Sequence, residues 1–332
     1  MRKAAHQLPW ATGFACLLLA GTSLAGAPQQ HTQAPGFYRA MLGDFELTVL
    51  SDGTLPFDVS KLLTNITPAQ LDADLSRAFL HEPVEFSVNA FLINTGARLV
   101  LIDTGTGTSF GPGVGRLLQN LKAAGYAPEQ IDEIYITHMH GDHIGGLTQA
   151  GKAVFANALV RASQNEADYW LSEKTMSSLP EGNRGGLRAA QAALKPYVDS
   201  GRFRPFSGDA ELAPGIRGLA AFGHTPGHAV YLVSSRNEHL LVWGDLMHVA
   251  AVQFPDPQTT ITFDGDSPAA ARTRLKFLAE AAREGWLVGG AHLPFPGLGH
   301  VRSADAAHCG CGSAMAAHES YVYLPLAYQV PH

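Results

Sequence analysis

The chain has 332 residues, 46% of them hydrophobic and 16% charged, enough apolar material for one large core or two modest domains, which excludes a disordered chain. A formal net charge of -6, with no long run of Lys or Arg, excludes the basic face that a nucleic-acid backbone requires, so no nucleic-acid partner is expected.

In chain order, residues 1–27 read as a secretory signal. Arg2 and Lys3 give a positive start, the run from Ala15 to Ala20 an apolar centre, and Ser23, Ala25 and Ala27 small residues for cleavage. The apolar run is too short to span a bilayer. The mature protein is therefore expected to be secreted into the periplasm, with no membrane contact once the signal is removed. Residues 28–36, rich in Gln, Pro and Thr, read as a tether, and 37–332 as one folded domain. Cys309 and Cys311 are one residue apart, a spacing at which a mutual disulfide would be strained, so no disulfide framework holds the fold.

Strands are expected from Phe45 to Leu50, Phe86 to Asn94 and Arg98 to Ile102, the last ending in the turn Asp103 Thr104 Gly105. Leu and Val at helical spacing predict a helix from Val114 to Ala124, stopped by Gly125, and the β-branched run Ile131 to Thr137 predicts a buried strand. Two helices joined by a mobile loop are expected between Gln164 and Leu194, because Pro180 and the glycines from Gly182 to Gly186 interrupt the pattern. Further strands are expected at Gly218 to Phe222, Ala229 to Ser234, Leu240 to Trp243, Trp286 to Ala291 and Tyr321 to Leu326. The long amphipathic helix is Pro268 to Glu284, and Ala304 to Glu319 reads as an exposed excursion. Strands and helices alternating on both sides of the middle suggest sheets covered by helices.

Metal chemistry is signalled by His138, His140, Asp142 and His143, four potential ligands within six residues, directly after the buried strand. Alternate positions of extended backbone point the same way, so His138 and His140 can grip one ion while Asp142 and His143, further round the turn, face a second. Gly145 and Gly146 permit that turn to close. Three more candidates each follow a predicted strand: His224 in Gly223 His224 Thr225 Pro226 Gly227 His228, chosen over His228; Asp245, whose two oxygens can bridge two cations; and His292. No Gly-x-Ser-x-Gly elbow occurs, and neither Cys309 nor Cys311 has the context of a nucleophile.

These seven residues resemble the full ligand set of the binuclear metallo-β-lactamase superfamily. The resemblance implies an α+β fold, a four-layer αββα sandwich, with His138, His140 and His224 on one ion, Asp142, His143 and His292 on the other, and Asp245 between them. Asp103 matches the position that orients a ligand histidine from behind it. The implied cofactors are two divalent metal ions, Zn2+ foremost, with Co2+, Mn2+ or Fe2+ as substitutes. Two cations sharing a water lower its pKa, so a bridging hydroxide is the expected nucleophile and Asp245 a possible proton shuttle to the leaving group.

Within the superfamily, nearly the whole mature chain resembles the group of methyl parathion hydrolase and its esterase and lactonase relatives, through stretches such as Pro35 to Arg39, Leu42 to Glu46, Glu133 to His140, Trp170 to Ser172 and Val249 to Phe254. The bridging Asp245 demotes a β-lactamase. The resemblance implies a hydrophobic leaving-group pocket of Leu62, Phe110, Trp170, His248, Ile261 and Phe263, with His248 facing substrate rather than metal. Gly141 stands where that group has proline, a difference expected to change turn rigidity only, and the loop bearing Cys309 and Cys311 is longer than the group's. The expected function is hydrolysis of organophosphate triesters of the methyl parathion or paraoxon type, with aryl-ester or lactone hydrolysis beside it, on a small-molecule ester substrate. The alternatives are a lactonase or aryl esterase acting on dihydrocoumarin or acyl homoserine lactones with incidental phosphotriesterase activity, and a non-catalytic metal-binding protein. Apolar residues around Phe86 and Tyr321 offer weak support for a homodimer.

Overall fold

A computed structural model describes residues 1, 27, 29–304 and 319–328. The chain divides into two units, Met1–Ala34 and Pro35–His332, and the second carries every strand and helix among the described residues. The signal expected over residues 1–27 and the loop holding Cys309 and Cys311 lie outside the described residues, apart from Met1 and Ala27.

Two sheets form the centre of the second unit. In the first, β1 (Phe37–Leu42), β2 (Phe45–Phe57), β3 (Val84–Asn94), β4 (Leu99–Ile102), β5 (Glu133–Tyr135) and β6 (Leu159–Arg161) pair in sequence order, antiparallel as far as β4 and parallel from β4 to β6. In the second, β7 (Ala210–Ala213), β8 (Ile216–Ala220), β9 (Ala229–Ser235), β10 (Glu238–Val242), β11 (Leu287–Gly289), β12 (Leu298–Ser303) and β13 (Tyr321–Pro325) also pair in order, with β10 and β11 the parallel pair.

Alternation along the strands divides the core into layers. Val100 and Ile102 of β4 pack with Ile93, Tyr231, Val233 and Val242 between the sheets, whereas Leu101 and Leu92 point outward among helical residues such as Leu117, Leu121, Leu194 and Tyr197. On the far side of the second sheet, Leu241, Trp243 and Val288 meet Phe277, Leu278 and Ala281. The result is the expected αββα order. Each fully buried Leu or Phe in these layers contributes about 1.5–3 kcal/mol.

The helices are α1 (Pro68–Arg77), α2 (Leu117–Ala123), α3 (Gly141–Ile144), α4 (Gln164–Trp170), α5 (Glu173–Ser178), α6 (Gly185–Asp199), α7 (Ala250–Gln253) and α8 (Ser267–Glu284). The long helix α8 begins where the Asp266 side chain accepts the Ala269 N–H and ends at Gly285 in the left-handed conformation, φ 68°. The middle of the chain corrects the expectation of two helices and a mobile loop. Ser172 caps a new helix by accepting from Thr175 N, so α4 stops at Trp170, and a 3-10 turn at Glu181–Asn183 leads into α6. Gly185 and Gly186 open α6 rather than break it; a β-carbon on Gly186 would lie 3.1 Å from the Trp170 ring. The strand expected at Gly218 to Phe222 lies two residues earlier, as β8.

Phe86 and Tyr321 are themselves buried within the chain, at 2% and 4% exposure. Among the described residues no helix is long and apolar enough to cross a membrane.

Candidate metal centre

The parallel pairs β4–β5 and β10–β11 send the loops after their carboxyl ends to one place. Asp103 follows β4, His138 and His140 follow β5, His224 follows β8, Asp245 follows β10 and His292 follows β11. The motif itself closes as the short helix α3, for which His140 is the N-terminal flanking residue. Gly145 and Gly146 matter there for a second reason beyond turn closure. A β-carbon on either would lie 2.2 and 2.0 Å from the carbonyl oxygens of Thr106 and Thr104, so only glycine lets the Asp103 turn pack this closely.

All seven expected ligands converge. His138 Nε2 and His224 Nε2 lie 3.0 and 3.1 Å from His140 Nδ1, and 3.5 and 3.3 Å from Asp245 Oδ2. Across Asp245, His143 Nε2 and His292 Nε2 each lie 3.1 Å from Oδ1, and 3.6 and 3.5 Å from Asp142 Oδ2. Ligands about 2.0–2.1 Å from a tetrahedral zinc stand about 3.3 Å from one another, so both groups have the spacing of a coordination shell. Asp245 faces both groups, with Oδ2 toward His138 and His224, Oδ1 toward His143, and His292 Nε2 within 3.2 Å of either oxygen.

Two atoms test the fit to metal directly. His143 Nε2 and Asp245 Oδ1 are buried without a hydrogen-bond partner, and both face the second group. Buried polar atoms are ordinarily satisfied, and a divalent cation between these would satisfy both. The donors suit two divalent cations, His138, His140, His224 and Asp245 for one and Asp142, His143 and His292, with the other oxygen of Asp245, for its neighbour.

Charge in the cluster is arranged for the same purpose. Burial, followed by the repulsion of His143, holds His138 far below the ordinary imidazole value, and burial with His224 pushes His140 down to about 3. Burial also opposes protonation of His143, but the carboxylates of Asp245, Asp142 and Asp103 outweigh it and raise His143 well above its ordinary value. His224 is likewise raised, to about 9, with burial outweighed by Asp245 and Asp264. Protons thus balance the buried carboxylates in positions where cations would do so.

Behind the ligands stand residues that fix their orientation. Asp103 Oδ2 accepts from His143 Nδ1 at 2.8 Å, which leaves Nε2 as the free donor atom; its carboxylate also accepts the Thr137 N–H and hydroxyl. Asp103 is held at φ 62°, a conformation that favours glycine and that a non-glycine residue keeps when its surroundings demand it. Three further residues escaped sequence reasoning. Asp264 Oδ1 accepts from His224 Nδ1 at 2.8 Å, and the Ser87 carbonyl accepts from His292 Nδ1 at 2.8 Å. Glu166, buried at the start of α4, accepts from Met139 N on one histidine loop and from Thr225 Oγ1 and Gly227 N on the other. His228, set aside as a ligand, accepts the Asp245 N–H on its Nε2 at 3.1 Å and so anchors the backbone of Asp245.

The expected pocket residues divide around the cluster. Trp170 stands edge-on to His140 with ring centroids 5.4 Å apart, and Phe110 lies against Gly141. Phe263 approaches His248 at 6.1 Å, while Leu62 and Ile261 pack with Val59, Leu63 and Phe86 in a separate small core where Ile261 is wholly buried. His248 departs from expectation. Its Nε2 turns toward Asp245 Oδ2 at 3.1 Å and its ring stacks on His292, so it faces the Asp245 carboxylate. Gly141 also departs: a side chain there would meet the Phe110 ring, so more than turn rigidity is at stake.

A four-layer αββα fold with paired histidine–aspartate clusters at the strand ends defines the binuclear metallo-hydrolase class. The metallo-β-lactamase superfamily model matches residues 83–292, and the chain belongs to that superfamily. Among solved structures it is similar to the hydrolase AbOPH of the β-lactamase superfamily, 36% identical, TM-score 0.83, covering 90% of this chain and 100% of that one. It is also similar to AidC, a dizinc quorum-quenching lactonase in complex with a product, at 29% identity and TM-score 0.79, covering 89% and 99%. An N-acyl homoserine lactonase of Bacillus cereus is 26% identical over 161 residues, 48% of this chain and 56% of the relative. A β-lactamase-like protein 2 homolog of Caenorhabditis elegans is 36% identical over 90 residues, 26% of this chain and 29% of the relative, so the chain spans between 29% and 56% of the length of these two curated relatives.

Proposed function

We propose that this protein is a dinuclear metal-dependent hydrolase of lactones and aryl carboxylic esters, with phosphotriester cleavage as a secondary activity of the same site. The order reverses the expectation drawn from the sequence. The observation that carries the reading is the placing of Asp245 between His138, His140 and His224 on one side and Asp142, His143 and His292 on the other, within 3.5 Å of histidines of both. Lactones come first because AidC and the Bacillus cereus relative are lactonases.

The seven ligands His138, His140, Asp142, His143, His224, Asp245 and His292 would hold the two ions, with zinc the first choice for this mixture of imidazole and carboxylate. Bound there, the ions would supply an acidified water as nucleophile and a Lewis acid for the ester carbonyl. The chain's own residues do the rest. Trp170 and Phe110 beside His140 and Gly141, and Phe263 beside His248, give apolar walls suited to a planar ring. Asp245 would offer its carboxylate to both ions, and it can take the proton that the attacking water loses and pass it to the leaving alkoxide. Replacing Asp245 by Asn should lower kcat on the order of 100-fold. Both metals retained with an unchanged rate would remove it from that role.

The deciding experiment compares kcat/KM for dihydrocoumarin, an acyl homoserine lactone, a p-nitrophenyl ester and methyl paraoxon, after chelation and reloading with zinc, cobalt or manganese. Lactones or aryl esters should lead, with all turnover lost on chelation. A phosphotriester ahead by orders of magnitude would restore the second reading, which the resemblance to the methyl parathion hydrolase group favours. Metal binding without turnover would leave a non-catalytic protein.

A further inference from the structure

The cluster meets solvent at one place. His138, His143, His224, Asp245 and His292 are buried, whereas His140, Gly141 and Asp142 are partly exposed. Phe110, itself 43% exposed, lies at that mouth: a β-carbon on Gly141 would stand 3.0 Å from both Cε2 and Cζ of its ring, closer than side chains ordinarily approach. The ring rests in the space that any other residue at position 141 would fill.

Nothing in the backbone demands glycine there. Gly141 is not among the residues at positive φ, and it opens α3, a position whose N–H has no partner within the helix. His140 before it is extended, at φ -70° and ψ 154°, the conformation that a following proline requires. The loop bearing Phe110 is pinned at its ends. A β-carbon on Gly107 would lie 2.3 Å from Gly145 O, and Val114 is buried, while residues 108–113 between them are exposed. Gly113 O accepts from Thr54 N at 3.1 Å as well, and between these holds the contact of Phe110 with Gly141 limits how low the ring can sit over the cluster's mouth.

We propose that the missing side chain at Gly141 lets Phe110 close down on the mouth of the metal cluster, so that the Gly141–Phe110 contact selects flat substrates over those with a bulky tetrahedral centre. The inference rests on the ester-hydrolysis reading above. Alanine at 141 forces the ring outward by a few tenths of an ångström to reach ordinary contact, and proline, with its larger ring, forces it further.

The test measures kcat/KM for dihydrocoumarin, which is flat, and methyl paraoxon, which is tetrahedral. The proteins are the zinc-loaded chain, Gly141→Ala, Gly141→Pro, Phe110→Ala and the double variant Gly141→Pro/Phe110→Ala, with the metal content of each determined. The ratio of paraoxon to dihydrocoumarin turnover should rise about tenfold or more in Gly141→Pro, the scale of discrimination that one small group in a pocket supplies. It should rise less in Gly141→Ala, with metal content unchanged. Adding Gly141→Pro to Phe110→Ala should change the ratio no further, because the ring that proline displaces is already gone. An unchanged ratio in Gly141→Pro with both metals in place, or a proline effect that persists in full without Phe110, overturns the proposal. If the proline variants lose metal or do not fold, Gly141→Ala with and without Phe110 decides by the same criterion. No turnover of either ester by the unsubstituted chain overturns the ester-hydrolysis reading and this proposal with it; turnover with an unresponsive ratio overturns the proposal alone.

Discussion

At the scale of single residues, the two ion positions are held by different supports, and that difference can be measured. Asp103 orients His143, which belongs with Asp142 and His292, whereas Asp264 orients His224, which belongs with His138 and His140. Asp103→Ala should weaken the second ion and Asp264→Ala the first, each about 10–100-fold, while leaving the other affinity nearly unchanged. Competition with a chelator that resolves two steps would distinguish this from a general loss of structure, in which both steps weaken together. Proton competition arises from the same contacts. His224 is held protonated up to about 9 by Asp245 and Asp264 against the effect of burial, and a cation must displace that proton. Affinity for the first ion should therefore rise with pH up to about 9 and level off above it, with proton release visible by calorimetry in buffers of different ionisation enthalpy. The seven ligands were legible because each follows a strand that apolar patterning betrays. Asp264 and Glu166 were not, since their partners lie 40 and 27 residues away and no local pattern marks such a meeting.

Among the elements, α4 has the most demanding position. Ser163 at its start accepts from Glu166 N and donates to Gly227 O, and Glu166 ties the loop of His138 and His140 to that of His224. Burial raises the pKa of Glu166, and the donors from Met139, Thr225 and Gly227 oppose that rise. Glu166→Gln keeps the shape but turns one acceptor atom into a donor aimed at N–H or O–H groups, which should destabilise the chain by ~3 kcal/mol. A denaturation midpoint that falls with an unchanged m-value would be the expected sign; an unchanged midpoint would mean that the clamp is not needed. Element by element, the sequence was read well where apolar periodicity was long, as in α8, and poorly where it was short. β1 was missed although Gly43 and Asp44 form a two-residue turn into β2, and α1 was missed although Thr67, Pro68 and Gln70 carry a capping box. β12 mixes buried Leu298, Gly299 and Val301 with exposed His300, Arg302 and Ser303, a sequence with no strong period.

For the whole molecule, the site is also a fastening between its halves. His138, His140, Asp142 and His143 arise beyond the first sheet, and His224, Asp245 and His292 beyond the second, so either ion would draw ligands from both. The sheets already share the core of Val100, Ile102, Tyr231 and Val242, which needs no metal to form. Chelation should thus leave a folded chain with a lower melting temperature. Bound at 100 times its dissociation constant, each ion adds about 2.7 kcal/mol, and two such ions would shift a domain of this size on the order of 10 °C. Differential scanning calorimetry with and without a chelator, followed by zinc restoration, measures it. The shift should shrink in Asp264→Ala and in Asp103→Ala alike, because each weakens an ion that spans the two sheets. A melting temperature indifferent to chelation, with metal shown to be lost, would mean that the two halves are held by the core alone.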